Sequence, residues 1–236
     1  LSVLFAAASS FFFIPKAFSS LSRAESNRSF PKELFLAAIL STMSTTIFTT
    51  VDVLIAKHFM SERAAGEYAL LSLVGKIIFF LGTMPNMFMV TFVARNRGLG
   101  QGAEKVFRAI YLASAAIVVV GVILFGFLGE IFSVFLFGEK ILEVAGLLPL
   151  YTAAIGFFTL STIVVTYHLA NKRYIFPFVA LFIQIGEAAG IFLFHWSIES
   201  VVWAVFLSSF FGWIFLGALH LFEPYSRFVG RAIRDF

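Results

Sequence analysis

The chain has 236 residues, of which 60% are hydrophobic, 18% aromatic and only 13% charged. A soluble domain of this size needs about a quarter of its residues charged to cover its surface, so the composition excludes a water-soluble globular protein. The net charge of +4 comes from basic residues in the gaps between apolar runs, which argues against a nucleic-acid partner, and the absence of cysteine rules out disulfides, cysteine metal sites and thiol catalysis.

Residues 1–14 are apolar and lack the basic flank and small-residue cleavage site of a signal peptide, so they read as the end of a preceding transmembrane helix. Residues 15–33 are Ser-rich, basic and bounded by Pro15 and Pro31, which predicts a cytoplasmic linker. Six runs follow, near 34–56, 67–93, 108–129, 143–169, 176–195 and 200–222, each close to the roughly 20 residues that cross a bilayer. The expected fold is all-α: a polytopic membrane bundle with one six-helix lobe over 34–222 and a partial helix before it. Residues 130–138 are apolar but too short to span, and predict an interfacial helix on the outer face. In the tail, 223–236, Tyr225, Phe228, Val229, Ala232 and Phe236 share one helical face and Arg227, Arg231 and Arg234 the other, the pattern of a helix lying on the anionic inner leaflet.

Basic residues fall in alternate gaps. Lys16, Arg23, Arg28 and Lys32, then Arg95, Arg97, Lys105 and Arg108, then Lys172 and Arg173, then the three tail arginines occupy one set, and only Lys57, Arg63 and Lys140 the other. Cytoplasmic loops retain positive charge, so the first set is expected inside, along with the C-terminus, in a multi-pass protein of the plasma (inner) membrane.

Ionisable groups within membrane helices cost about 2.5–3.5 kcal/mol on insertion scales and are usually paired or functional. Lys76 and Glu187 fall near the middle of their runs and Asp52 nearer the end of the first. Tyr68, Ser72, Lys76 and Thr83 form a polar stripe. Ser41, Thr45, Thr49 and Asp52 form a second, and Thr152, Thr159, Thr162 and Thr166 a third, while Gln184 precedes Glu187 by one turn. Four polar faces suggest a shared hydrated cavity; the competing expectation is that each hydroxyl bonds its own backbone or glues helices together. His58, His168, His195 and His220 lie near predicted helix ends and read as interfacial residues rather than proton relays. Pro85 and Pro149 are expected to kink their helices, and the Gly186/Gly190 pair to allow close packing.

No P-loop, HExxH, GxSxG or Asp-rich loop occurs, so an enzyme is not expected, and neither is a metal or cofactor. Two stretches do carry a family resemblance. One is Val51-Asp52-Val53-Leu54-Ile55-Ala56-Lys57-His58-Phe59 with Ala65-Gly66-Glu67-Tyr68 and Gly75-Lys76-Ile77; the other is Phe135-Leu136-Phe137-Gly138-Glu139 with Gly146-Leu147-Leu148-Pro149-Leu150. Together they resemble the second half of the polysaccharide flippases of the multidrug/oligosaccharidyl-lipid/polysaccharide exporter superfamily. In that family a helix ending near an Asp is joined by a Gly-x-Tyr turn to a helix bearing a Lys, matched here by Asp52, Gly66, Tyr68 and Lys76.

The resemblance implies a protein of two six-helix lobes, this chain being the C-terminal one and the other lobe its missing partner. It implies transport of a lipid-linked oligosaccharide, the O-antigen or lipopolysaccharide type of precursor, across the inner membrane by alternating access. Lys76 would then bind the anionic part of the substrate, with Tyr68, Ser72, Thr45 and Thr159 lining the path. Asp52, Glu187 and Gln184 are the candidates for coupling to an ion. Three alternatives stand beside this: a cation-coupled drug exporter of the same superfamily, which Lys76 disfavours, a non-transporting membrane subunit, and a membrane enzyme of lipid-sugar metabolism.

Overall fold

A computed structural model describes residues 32–99 and 102–232; the stub at 1–14 and nearly all of the linker lie outside the described residues. The described segments contain six helices long and apolar enough to cross a membrane, spanning Lys32–Phe59, Glu62–Asn96, Glu104–Phe127, Glu139–Ala170, Ile175–Leu193 and Ile198–Phe222. Each overlaps a predicted run, with ends that differ by up to five residues. The chain is thus an all-α, multi-pass membrane bundle.

The spans are not uniform helices. Helix α1 (Lys32–Phe59) is continuous. Helix α2 (Glu62–Thr83) starts where the Ser61 hydroxyl accepts the Ala64 N–H, with Glu62 in its first turn. It gives way at Pro85 to a 3-10 turn (Met84–Phe88), and α3 (Met89–Gly98) completes the second span. Proline has no N–H to donate and its ring clashes with the preceding turn, so the interruption falls where the sequence puts it. Helix α4 (Glu104–Gly121) widens into a π segment (Val122–Phe127) and is followed by the short α5 (Gly129–Phe137) at the position of the expected interfacial helix. Ile131 and Phe135, four residues apart on α5, are 70% and 87% exposed, so α5 presents an apolar face outside the bundle.

Gly138, at φ 77°, ends α5 in a conformation that L side chains rarely adopt. A 3-10 stretch (Glu139–Leu147) then leads into α6 (Leu148–Ala170). Pro149 sits in the first turn of α6, where a missing N–H costs nothing, so it starts this helix rather than kinking it. Helices α7 (Ile175–Leu193) and α8 (Ile198–Ala232) complete the bundle. The backbone of α8 runs unbroken into the segment expected to be a separate surface helix.

Helix α6 is the axis: 67% of its most apolar window is buried, against at most 33% in the other spans. Its first half packs with Phe48, Tyr68, Leu71 and Ile78 in one core, and its second half with Met89, Val93, Phe107, Phe176 and Leu216 in another. Close approach to α2 depends on Gly75 and Gly82, two turns apart. A Cβ on Gly75 would lie 2.6 Å from Tyr151 Cε1, and one on Gly82 would lie 2.8 Å from Thr159 Cγ2. The expected small-residue contact is absent from Gly186 and Gly190, whose Cβ positions meet nothing within 4 Å. Gly75→Leu and Gly82→Leu should therefore each destabilise the bundle by about 1–3 kcal/mol through overpacking, whereas Gly190→Leu should be close to neutral; thermal unfolding in detergent checks both.

Candidate functional site

Asp52 lies in the last third of α1, on the face turned to the bundle, and is 3% exposed. Its Oδ2 accepts from the Tyr68 hydroxyl of α2 at 2.9 Å and from the Tyr151 hydroxyl of α6 at 3.1 Å. Its Oδ1 accepts from the Val53 N–H at 2.7 Å. The two tyrosine rings meet edge to face, 6.0 Å between centroids at 80°, and both are buried. Ser72, one turn along α2 from Tyr68, is buried beside Tyr151. Burying a carboxyl group in an apolar interior is costly, and the two phenols and the amide offset part of that cost by meeting three of its lone pairs.

Lys76 is two turns beyond Tyr68 on the same face and is half-buried. Its charge acts on Asp52, yet no hydrogen bond or ion pair reaches its ammonium among the described residues. The result is a buried carboxyl group met by three neutral donors, with a cation nearby that retains its own bonding capacity.

Gln184 and Glu187 occupy the buried side of α7, 3% and 4% exposed. Gln184 lines a cleft between α1, α6, α7 and α8 with Ser44, Thr45, Ser161, Thr162 and Ser208. The cleft is narrow, leaving about 20 Å³ for water, room for a single molecule. Glu187 borders a second, apolar groove of about 570 Å³ between α7 and α8, with Ile183, Phe211 and Phe215. No group donates to its Oε2 among the described residues, and it lies close enough to Asp52 for the two carboxyls to interact electrostatically.

The four polar faces therefore do not converge on one cavity within the described residues. Thr45 and Gln184 share the narrow cleft, Tyr68 and Ser72 belong to the Asp52 centre, and Thr159 is fully buried against Gly82. Most of the threonines bond backward along their own helices: Thr45 to Ser41 O, Thr49 to Thr45 O, Thr159 to Ile155 O and Thr166 to Thr162 O, at 2.7–3.1 Å. Such bonds satisfy a hydroxyl inside a membrane without a partner helix. Thr166 also accepts from Asn86 Nδ2 at 3.0 Å, tying the broken second span to α6. His168, expected at an interface, is fully buried.

Sequence reasoning missed Tyr151. One tyrosine in an apolar helix is indistinguishable from a packing residue until Asp52 is placed opposite it. It also missed Ser44, Ser161 and Ser208, whose helices meet only in the folded bundle. No family model, curated protein or solved structure matches the chain.

Tyr68→Phe and Tyr151→Phe should each cost about 1.5–3 kcal/mol, because each removes a hydrogen bond to a charged group while keeping the ring. The two phenols share one oxygen, so the double variant should depart from additivity. Adding Asp52→Asn to the double variant should recover part of the loss, since the uncompensated charge is gone. Unfolding measured as a triple-mutant series checks this.

Proposed function

We propose that the chain is one lobe of a membrane flippase that moves a lipid-linked oligosaccharide, or a related polysaccharide precursor, across the inner membrane by alternating access. The observation that carries this reading is Lys76: a half-buried cation in a membrane-spanning helix, near a carboxyl group that takes three neutral donors and no direct bond from Lys76 among the described residues. An intramembrane cation is costly, and one without an ion pair is best accounted for by an anionic ligand that comes and goes. Phosphate or pyrophosphate between a lipid and its sugars has that charge, and its tail never has to leave the bilayer. The motif resemblance around Asp52, Gly66, Tyr68 and Lys76 supports the same reading.

Within it, Lys76 attracts the anionic link and Tyr68 and Tyr151 keep Asp52 from neutralising Lys76 by direct pairing. Asp52, Glu187 and Gln184 are the groups through which a cation gradient would act. The second lobe completes the cavity, since the narrow cleft of this lobe is too small for a sugar chain. A second reading, a cation-coupled exporter of amphiphilic drugs, draws support from Glu187, whose Oε2 faces no donor beside the apolar α7–α8 groove.

Two experiments decide. In the full-length protein, Lys76→Met should insert normally and lose flipping, and Lys76→Arg should keep part of it; full flipping by Lys76→Met removes this residue from the mechanism. If Lys76 is needed only to balance Asp52, the Lys76→Met/Asp52→Asn pair restores both folding and transport. For orientation, the basic-loop bias predicts that cysteines at Ser22 and Gly100 are labelled from the cytoplasm and one at Glu139 from outside. Labelling of Ser22 and Glu139 from the same side overturns the six-span topology.

A further inference from the structure

The end of the bundle where α6 passes into α7 carries a polar chain that the transport reading does not use. His168, in the last turn of α6, is fully buried, and its ring stacks on Phe176 of α7 at 3.4 Å and 2°. Its Nε2 is 2.9 Å from Nδ1 of His220 on α8, and its Nδ1 is 3.3 Å from Nη1 of Arg173 in the α6–α7 turn. The Arg173 N–H donates to the His168 carbonyl at 2.9 Å, which fixes the turn. The ring of His220 packs on Phe107 of α4 and on Tyr167 of α6. Four helices thus meet at two imidazoles.

The direction of the chain follows from donor counting. A guanidinium only donates, so Nδ1 of His168 must present a lone pair to Arg173. The His168 proton then sits on Nε2 and is donated to Nδ1 of His220, which must also be a bare acceptor. Arg173 to His168 to His220 works only with both rings neutral. A proton added to His220 sets an N–H against an N–H across the α6–α8 contact. A proton added to His168 sets one against the guanidinium.

Among the described residues, the charged groups facing His220 are Arg173 from the turn and Glu104 from the start of α4. Glu104 is itself bonded by Arg108. Among the described residues the two rings also meet Tyr167, Phe107 and Phe176, and Glu223 follows along α8 with its side chain outside the described residues. An unperturbed histidine changes charge near about pH 6.5, so acidification is the perturbation that tests a chain of two neutral imidazoles.

We infer that Arg173, His168 and His220 form a proton-sensitive latch that holds α8 against the α6–α7 turn at neutral and alkaline pH and releases it on acidification. The inference does not depend on what the protein transports. Native cysteine is absent, so Ile175→Cys and Leu221→Cys, at positions 59% and 75% exposed, give a clean pair of spin labels in the full chain reconstituted in nanodiscs. The inter-label distance should be narrowly distributed at about pH 8, and shift reversibly to longer, broader values at about pH 5.5. Adding His168→Gln and His220→Gln should abolish the shift. His58→Gln with His195→Gln, at the opposite end of the bundle, should leave it intact. A wild-type distribution that is the same at both pH values overturns the latch, as does a shift that survives the His168/His220 double variant. If that double variant does not fold, nitrogen NMR of the wild-type histidines decides: at pH 8 both rings must be neutral, with His168 protonated on Nε2, and an imidazolium at either ring under the narrow distribution overturns the latch.

Discussion

The strongest polar and aromatic contacts of α1 with α2 and α6 are made by one carboxyl group and one ring. Asp52 gathers the phenols of α2 and α6, and one turn earlier Phe48 stacks on Phe158 of α6 at 3.4 Å and 11°. The opposite face of α1, with Phe35, Leu36 and Met43, is exposed. In water such a helix would be driven onto its neighbours by its own apolar area. In lipid that drive is absent, and association falls to packing and to polar groups that would otherwise be unsatisfied. Asp52 therefore acts on α1 as a docking point whose strength is set by two hydroxyls, beside the packing of Phe48 and Ala56.

The rest of the lobe is organised differently. Helices α2, α4 and α6 close on one another through missing side chains: Gly75 and Gly82 on α2, and Gly156 on α6, where a Cβ would come within 2.7 Å of Val118. Close backbone approach gives dispersion contacts along the whole length of the pair and needs no polar group. The bundle thus combines a tightly meshed frame with one helix attached by specific bonds. That division puts the polar centre on the seam between the two.

Much of this was legible in the residues and part was not. The six spans, the short α5 and the break at Pro85 are written in local composition, because hydrophobic length and a missing amide act on the chain where they occur. Asp52 and Tyr68 were legible as a pair through the motif they share. Tyr151 was not, because its role is set by a residue ninety-nine positions away. The threonine stripes suggested a cavity because spacing reports which face a hydroxyl occupies and says nothing of whether it bonds its own carbonyl. Gly186 and Gly190 have the right spacing for a tight contact, but α8 presents its own glycine elsewhere, with Gly212 set against Ile183. His168 lies at a helix end, as expected, whereas His220 lies within α8, which continues to Ala232. The sequence did not reveal that the two rings meet over Phe107 and Phe176.

The break at Pro85 divides the second span between two cores. Leu71, Val74 and Ile78 belong to the core around Tyr151, and Met89 and Val93 to the core around Tyr167. Between them, Met84 to Phe88 form a 3-10 turn with poorer hydrogen-bond geometry than the helices on either side. A continuous rod embedded in two cores would carry any tilt of one directly into the other. Here the rod is jointed: a short 3-10 turn, tied to α6 through Asn86, separates the shaft that bears Tyr68 and Lys76 from the shaft beyond Met89.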